Sequence, residues 1–596
     1  MKQPAAETRT GPIAGAPGER TLMQATQPAA RVGLADHIAA RLERAGVRHV
    51  FGVGGANIED LFAAVQRRRP GLRVVLAKHE HGAGTAADAY ARIGGGLGVV
   101  LATSGGGAMN LVHSLAEARA SRVPVLALVG EPPLELQGRG AFQDTSGRAG
   151  AVDAAAVFRA VSVWCERGER PESVLAQLER AIEAALTQRG PSVLLLEKNL
   201  QCAQLDLAVP EVAAGARPEP RDAGAGEPPP PLLAEAAARL AAGPVLVIAG
   251  EQVAREAGVP ALARLVERLG ANVAVTPDAR DAFDNASPRF LGVAGAMGHA
   301  PVAAALAHAP VCLLVGTRLP LLARLGLEPL LASRVVISVG RERPFVEPLL
   351  LHLEGSPAAL CQALASALPE RVAPPWAPST PAAGAAPHVP SDAFDIPNAL
   401  RCLSRALPEG AVVLADAGNT GASVAHYLAA PRGGRWLLAM GMAGMGYSFG
   451  AAIGAACASG QRCVLCAGDG AFFMHGLELH TAVEHALPIT FVIFNNRAHG
   501  MCLMRERLLL GEEHGYNTFK RAHLGAGLGA MLPELPSHDC RSLAELERAL
   551  EAARDAAGPV LIALELPEVE IPPFAALRAA AERRTAGEKA REKEAR

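Results

Sequence analysis

One stretch of this chain carries an aspartate, two asparagines and several glycines at the ends of apolar segments. It begins at Arg462 and reads RCVLCAGDGAFFMHGLELHTAVEHALPITFVIFNNRAHGM. The side-chain oxygens of Asp469 and Asn496 are hard donors that suit Mg²⁺, an ion that keeps water and phosphate oxygens in its remaining positions. Gly468 and Gly470 let a diphosphate come close to the backbone, and a helix beginning there stabilises its negative charge. Turns after strands use the same residue types, so either cluster alone would be ordinary turn chemistry. A second stretch, KHEHGAGTAADAYAR from Lys78, puts Glu80 at the start of a helix. There it is either a functional carboxylate or a complement to the helix dipole.

The elements around these residues decide how they meet. Cys463 to Ala467 reads as a buried strand, a helical segment runs through Glu484, and Ile489 to Phe494 reads as a second strand. A βαβ unit of this kind brings GDG and NN to the same carboxyl edge of a parallel sheet, where α/β folds bind ligands. Val74 to Lys78 reads as a further strand leading into the Glu80 helix. Two segments end alike: LAQLERAIEAALTQRGPSVLLLE from Leu175 and LAELERALEAARDAAGPVLIALE from Leu543. In each an amphipathic helix runs into Gly-Pro and a buried strand, which predicts related topologies for the first and last parts of the chain.

With 596 residues, half of them hydrophobic, the chain is too long for one core. The expected fold class is α/β, with three doubly wound parallel-sheet domains. Residues 1–30 read as a disordered tail and 579–596 as a charged tail. Pro-rich linkers at 209–231 and 369–392 separate domains at 31–208, 232–368 and 393–578. The net charge of −2 gives no electrostatic case for nucleic acid or an anionic membrane. Gly, Pro or charge interrupts every apolar stretch, no secretory leader opens the chain, and the ten cysteines form no regular framework. A cytoplasmic setting is expected.

The GDG–NN pair at this spacing resembles the diphosphate–metal signature of thiamine-diphosphate-dependent enzymes, the superfamily of acetolactate synthase, benzaldehyde lyase and pyruvate decarboxylase. The pattern is nearest to acetolactate synthase large subunits. The resemblance implies pyrimidine-binding, central and diphosphate-binding domains in that order, with thiamine diphosphate and Mg²⁺ as cofactors. By it, Asp469, Asn496 and the carbonyl of Ala498 hold the metal. Gly468, Gly470, Ala471, Gly500 and Met501 line the cofactor, as do Asn419 and Thr420 of DAGNTG. Met445 of MAGMGYSFGAAIGA is the apolar wedge that bends the cofactor. Glu80 is the catalytic carboxylate, hydrogen-bonded to N1′ of the aminopyrimidine. Gly54 and Gly55 of FGVGGANIEDLF, and Phe142 and Gln143 of GAFQDTS, fall near the substrate. TSGGGAMN from Thr103 resembles the family's TSGPG-x-x-N segment. The family builds its active site from two subunits, which implies a homodimer or homotetramer.

The implied activity is decarboxylation of a pyruvate-like 2-oxo acid with carboligation to an aldehyde or ketone acceptor. A non-ligating decarboxylase, an aldehyde lyase and a catalytically silent regulatory homologue stay open, although a silent copy has little reason to keep Glu80, Asp469 and Asn496 together. Beyond NN the chain departs from acetolactate synthase, so Arg505, Arg507 or His499 could line a different pocket. FAD is not expected: Arg318 falls where flavin-binding relatives place an arginine, but the neighbouring acidic pattern is missing. Cys463 and Cys466 form a C-x-x-C inside a strand and read as structural. His79 and His81 flank Glu80 without forming H-E-x-x-H, so no zinc site is expected.

Overall fold

The computed structural model describes residues 31–209, 229–368, 393–568, 570–574, 577–578 and 582–583. The expected tail 1–30 and the expected linker 369–392 lie outside the described residues, as do most of the linker 209–231 and of the charged tail. Each expected domain holds one six-stranded sheet, and every strand pairing within these sheets is parallel.

In the first domain the elements are β1 (His49–Gly52), β2 (Arg73–Leu76), α1 (Glu80–Gly94), β3 (Gly98–Ala102), α2 (Val112–Ala120), β4 (Val125–Glu131), β5 (Trp164–Arg167), α3 (Pro171–Thr187) and β6 (Pro191–Glu197). The strands lie in the order β2-β1-β3-β4-β6-β5. β2 stops short of the expected Lys78, because the Lys78 N–H leaves the sheet to donate to the Glu478 carboxylate at 3.1 Å. The central domain contributes β7 (Val245–Ala249), β8 (Asn272–Val275), β9 (Phe290–Val293), β10 (Val311–Val315), β11 (Val335–Gly340) and β12 (Leu351–Glu354). Their order, β9-β8-β7-β10-β11-β12, is that of dinucleotide-binding folds.

The third domain holds β13 (Val412–Ala415), α4 (Gly418–Tyr427), β14 (Arg435–Leu438), α5 (Tyr447–Ser459), β15 (Cys463–Gly468), α6 (Asp469–His475), α7 (Leu479–Glu484), β16 (Ile489–Asn495), α8 (Gly500–Arg505), β17 (Ser537–Cys540), α9 (Leu543–Asp555) and β18 (Val560–Glu565). Its order is β14-β13-β15-β16-β18-β17. Numbered within their own domains, the first and third sheets have the same topology. The two Gly-Pro exits, α3 to β6 and α9 to β18, deliver the same strand in each. Strands buried on both faces, such as Val-Leu-Ala-Leu-Val in β4, need apolar side chains throughout, which is why these segments do not alternate.

The first and third domains pack through α1 and α5. A Cβ at Gly450 would lie 2.2 Å from the Gly82 carbonyl oxygen, and one at Gly454 would lie 1.9 Å from that of Ala86. Only glycine at these two positions lets the helix backbones come this close. The helix that begins at Glu80 is thereby seated against the helix that follows Met445. Among the described residues no helix is long and apolar enough to cross a membrane.

Candidate active site

β15 and β16 run side by side in a register that pairs Gly468 with Phe494. Asp469 and Asn496 therefore emerge together at the carboxyl edge, 1% and 9% exposed. Asp469 Oδ1 accepts the Gly470 N–H at 2.8 Å, and Oδ2 accepts the Arg497 N–H at 2.6 Å. Burial pushes its carboxyl up to about 7, against backbone N–H donors that pull the other way. The Asn496 side-chain amide presents one atom 3.0 Å from the Ala498 carbonyl oxygen and 3.1 Å from Asp469 Oδ1. With nitrogen in that place the amide donates to both. With oxygen there, three oxygens converge, a donor set that fits a hard divalent cation. Among the described residues no group of three His, Cys, Asp or Glu side chains could hold a metal. A site here would rest on one carboxylate, one amide and one carbonyl.

Around this edge lie the other residues expected at the diphosphate. The Asn496 and Asn419 amide nitrogens sit 2.9 and 3.0 Å from where a Cβ of Gly500 would be. Thr420 Oγ1 sits 3.4 Å from that point on Gly468. Asn419 Oδ1 is buried with no hydrogen-bond partner among the described residues, while its Nδ2 donates to the Glu570 carbonyl at 3.3 Å. At Gly470, Met445 Cε and His499 Nδ1 occupy the space a Cβ would need, at 3.2 and 2.7 Å. Ala471 is buried at the start of α6, and Met501 follows Gly500 at the start of α8. The loop carrying Met445 is held by Asp416, whose buried carboxylate accepts the N–H of Gly446 at 2.9 Å and both the N–H and the hydroxyl of Ser448 at 3.0 and 2.6 Å.

Glu80 opens α1 with its side chain buried, and its Oε2 accepts the Asn110 Nδ2 donor at 2.9 Å. A Cβ at Gly107 would lie 2.9 Å both from Glu80 Oε1 and from Thr103 Cγ2. Thr103 in turn packs on Gly55, and Gln143 packs on Gly105. Gly54 faces open space. Gly55, Thr103, Glu80 and Gln143 thus share one corner of the first sheet's carboxyl edge. Phe142 stands 84% exposed beside it.

Comparison with known proteins matches three parts of the chain. Residues 33–150 match the thiamine pyrophosphate enzyme N-terminal TPP binding domain, 233–344 the central domain and 416–564 the C-terminal TPP binding domain. The chain belongs to the thiamine pyrophosphate enzyme family. Similar proteins include acetolactate synthase of Arthrospira platensis, 28% identical over 87% of this chain and 92% of that one. The acetolactate synthase isozyme 2 large subunit of Escherichia coli is 27% identical over 89% and 94%. Sulfoacetaldehyde acetyltransferase of Alcaligenes xylosoxydans xylosoxydans is 26% identical over 76% and 79%.

In this thiamine pyrophosphate enzyme, histidines link the start of α1 to the end of α6 within the chain. His81 is 3% exposed, and among the described residues neither ring nitrogen has a hydrogen-bond partner. It stacks on His113 at 4.7 Å and lies 4.2 Å from His475 at the end of α6. Burial, then the neighbouring rings of His475, His113 and His79, push His81 down to about 3, so it is neutral. His79 caps α1 by accepting the His81 N–H at 3.0 Å. Sequence reasoning passed over His113, Asp416 and His475, and matched Asn110 only as the last residue of TSGGGAMN, without a role. Asp416 opens the quoted DAGNTG and was within reach, whereas nothing local marks the two histidines.

Cys463 and Cys466 stand three residues apart on β15, so their side chains face opposite sides of the sheet and enter different cores. Burial raises both thiols, Cys466 to about 12. Arg318 pairs with Glu342 at 3.2 Å and donates to the Ala120 carbonyl at 2.8 Å.

Proposed function

We propose that the chain decarboxylates a pyruvate-like 2-oxo acid and joins the remaining fragment to a second carbonyl, in the manner of acetolactate synthases. The observation that carries this reading is the convergence of Asp469, Asn496 and the Ala498 carbonyl beside a cradle lined by Asn419, Thr420, Gly468 and Gly470. The named relatives support carbonyl transfer as the reaction class.

Bound in this cradle, thiamine diphosphate supplies a nucleophilic ring carbon and an electron sink for the pair released with CO₂. Asp469, Asn496 and the Ala498 carbonyl would hold Mg²⁺, which would offset the diphosphate charge. Asn419 Oδ1 would accept a hydrogen bond from the bound group. Met445, from its place over Gly470, would be the apolar contact that supports the cofactor. Glu80, set by Asn110 and shielded by burial, holds a proton at N1′ of the pyrimidine. Gly54, which faces open space, would leave room for the substrate beside Gly55, with Gln143 as a polar contact and Phe142 as an apolar wall.

Glu80 and the diphosphate cradle of one site come from two subunits in this reading. In support, Leu76, Met442, Phe473, Met474 and Leu477 are all exposed in the single chain, at 46–54%. The Leu76 carbonyl accepts the Thr481 hydroxyl, which brings Leu76 to the same junction as the segment that carries Leu477. An apolar surface of this kind is covered in a homodimer. All ten cysteines are free thiols, which suits a reducing cytoplasm.

The acceptor is less constrained. Arg507 binds Glu513, with Nε to Oε2 at 2.8 Å, and Arg505 is exposed. Neither arginine argues for an acidic acceptor pocket. The test is turnover of purified protein with Mg²⁺, thiamine diphosphate and pyruvate, with and without added aldehydes and 2-oxo acids. A 2-hydroxyketone whose structure changes with the acceptor supports the proposal. Release of free aldehyde with no ketone under every condition contradicts it.

A further inference from the structure

The loop between β14 and α5 is held from outside its own domain. Gly441, Met442 and Ala443 are exposed, yet their N–H groups turn inward to one buried carboxylate, that of Glu117 on α2 of the first domain. Oε1 accepts from Gly441 at 3.2 Å, and Oε2 accepts from Met442 and, at 3.2 Å, from Ala443. Successive N–H groups curling around an oxygen form an anion nest, a conformation that requires a left-handed residue. Ala443 supplies it at φ +52°, a strained setting for a residue with a Cβ.

The carboxylate is itself anchored. The Ser121 hydroxyl donates to Oε1 at 2.6 Å, and Arg92 donates at 3.2 Å. Arg92 also forks onto Asp88 at 2.8 and 2.9 Å, and Asp88 accepts the Tyr447 hydroxyl at 2.9 Å on the far side of the loop. Glu117, Arg92, Asp88 and Tyr447 are all buried. Burial disfavours the charge on Glu117, but Arg92 and the hydrogen bonds from Ser121 and Met442 outweigh it and hold the carboxyl below its usual range. His113, also on α2, fills the space against Gly444, one residue before Met445. Both grips come from α2.

We propose that Glu117 is a positioning residue: through the backbone of Gly441 to Ala443 it sets the place of Met445 over the Gly470 cradle. This rests on the proposed function only in assigning Met445 to the cofactor. Glu117 itself touches neither cofactor nor substrate. Its loss lets the loop open, so the cofactor binds more weakly and turns over more slowly, while the Michaelis constant for the 2-oxo acid changes little.

The test compares the full-length wild type with Glu117→Gln and Glu117→Asp. Hydrogen exchange of the cofactor-free chain, read by mass spectrometry, reports on the loop. Calorimetric titration with thiamine diphosphate and Mg²⁺ reports on the cradle. In Glu117→Gln, exchange over 441–446 is expected to quicken about tenfold and cofactor affinity to fall about tenfold, the size of one to two lost charge-assisted hydrogen bonds. Glu117→Asp keeps the charge beside Arg92 but draws it back from the loop. It is expected to keep the fold and to show a smaller change in the same peptide. Wild-type exchange over 441–446 in both variants overturns the proposal, and so does acceleration spread evenly over the whole chain in both. A wild type that fails to bind thiamine diphosphate counts against the proposed function instead, and the exchange comparison then stands by itself.

Discussion

The side-chain amide of Asn496 lies 3.1 Å from Asp469 Oδ1, and the same amide atom lies 3.0 Å from the carbonyl oxygen of Ala498. With nitrogen at that place the amide donates to both oxygens; in the proposed metal site its oxygen would face the cation beside the Asp469 carboxylate. Removing the carboxylate takes a ligand from that site. Asp469→Ala is expected to weaken Mg²⁺-dependent binding of thiamine diphosphate by roughly 3 kcal/mol, about a hundredfold in Kd. Calorimetric titration with and without Mg²⁺ measures it, and an unchanged Kd would exclude Asp469 as a ligand.

Glu80 is buried and oriented by the Asn110 side-chain donor. Glu80→Gln keeps the shape of this corner but cannot hold the proton in the same way. It is expected to bind cofactor within a few-fold of wild type and to lose about 10²–10⁴ in kcat, the range of general acid–base groups. Steady-state kinetics beside the titration separate the two effects. Activity near wild type would remove Glu80 from the catalytic role.

The spacing of α1 against α5 is set by glycines. A methyl group at Gly454 would meet the Ala86 carbonyl at 1.9 Å, with backbone on both sides. Gly454→Ala is expected to cost about 1–3 kcal/mol through overpacking, read as a lower urea midpoint. A neutral substitution would mean that the helices are free to separate.

Glu570 links pH to the cradle. Burial, with Asp395 nearby, pushes its carboxyl from 4.5 up to about 8, although the Ile396 N–H it accepts pulls it back. A carboxyl raised in the folded state favours folding fully below its unfolded pKa, and that contribution is lost as pH rises through the folded one. Wild-type stability is therefore expected to fall between about pH 4.5 and 8. Glu570→Gln should flatten that slope in thermal melts taken across the range. Because the Glu570 carbonyl accepts from Asn419, the same ionisation is expected to loosen cofactor binding at high pH.

The parts of this molecule that could be read from the sequence are those with a local signature. Apolar runs ending in Gly-Asp-Gly and Asn-Asn mark strands that stop at a binding edge, and the repeated Gly-Pro exits mark two sheets of one topology. Strand ends were less readable: β2 ends early because Glu478, four hundred residues away in sequence, takes the Lys78 N–H. The Glu117 clamp was invisible for the same reason. An acid in the middle of an alanine-rich helix looks like any solvated residue until the loop at 441–443 folds onto it. Phe142 and Leu76 show the converse, apolar side chains left exposed in the single chain, which no local pattern in the sequence marks.

The most direct measurement is turnover of pyruvate labelled at its carboxyl and carbonyl carbons, with Mg²⁺ and thiamine diphosphate, in wild type and Glu80→Gln. The donor's carboxyl label is expected as CO₂ and the carbonyl label in a 2-hydroxyketone, which keeps the carboxyl label of any pyruvate that serves as acceptor; both products depend on cofactor and both are lost in Glu80→Gln. Carbonyl label found only as free aldehyde, or ketone formed equally by the variant, would contradict carboligation at this site.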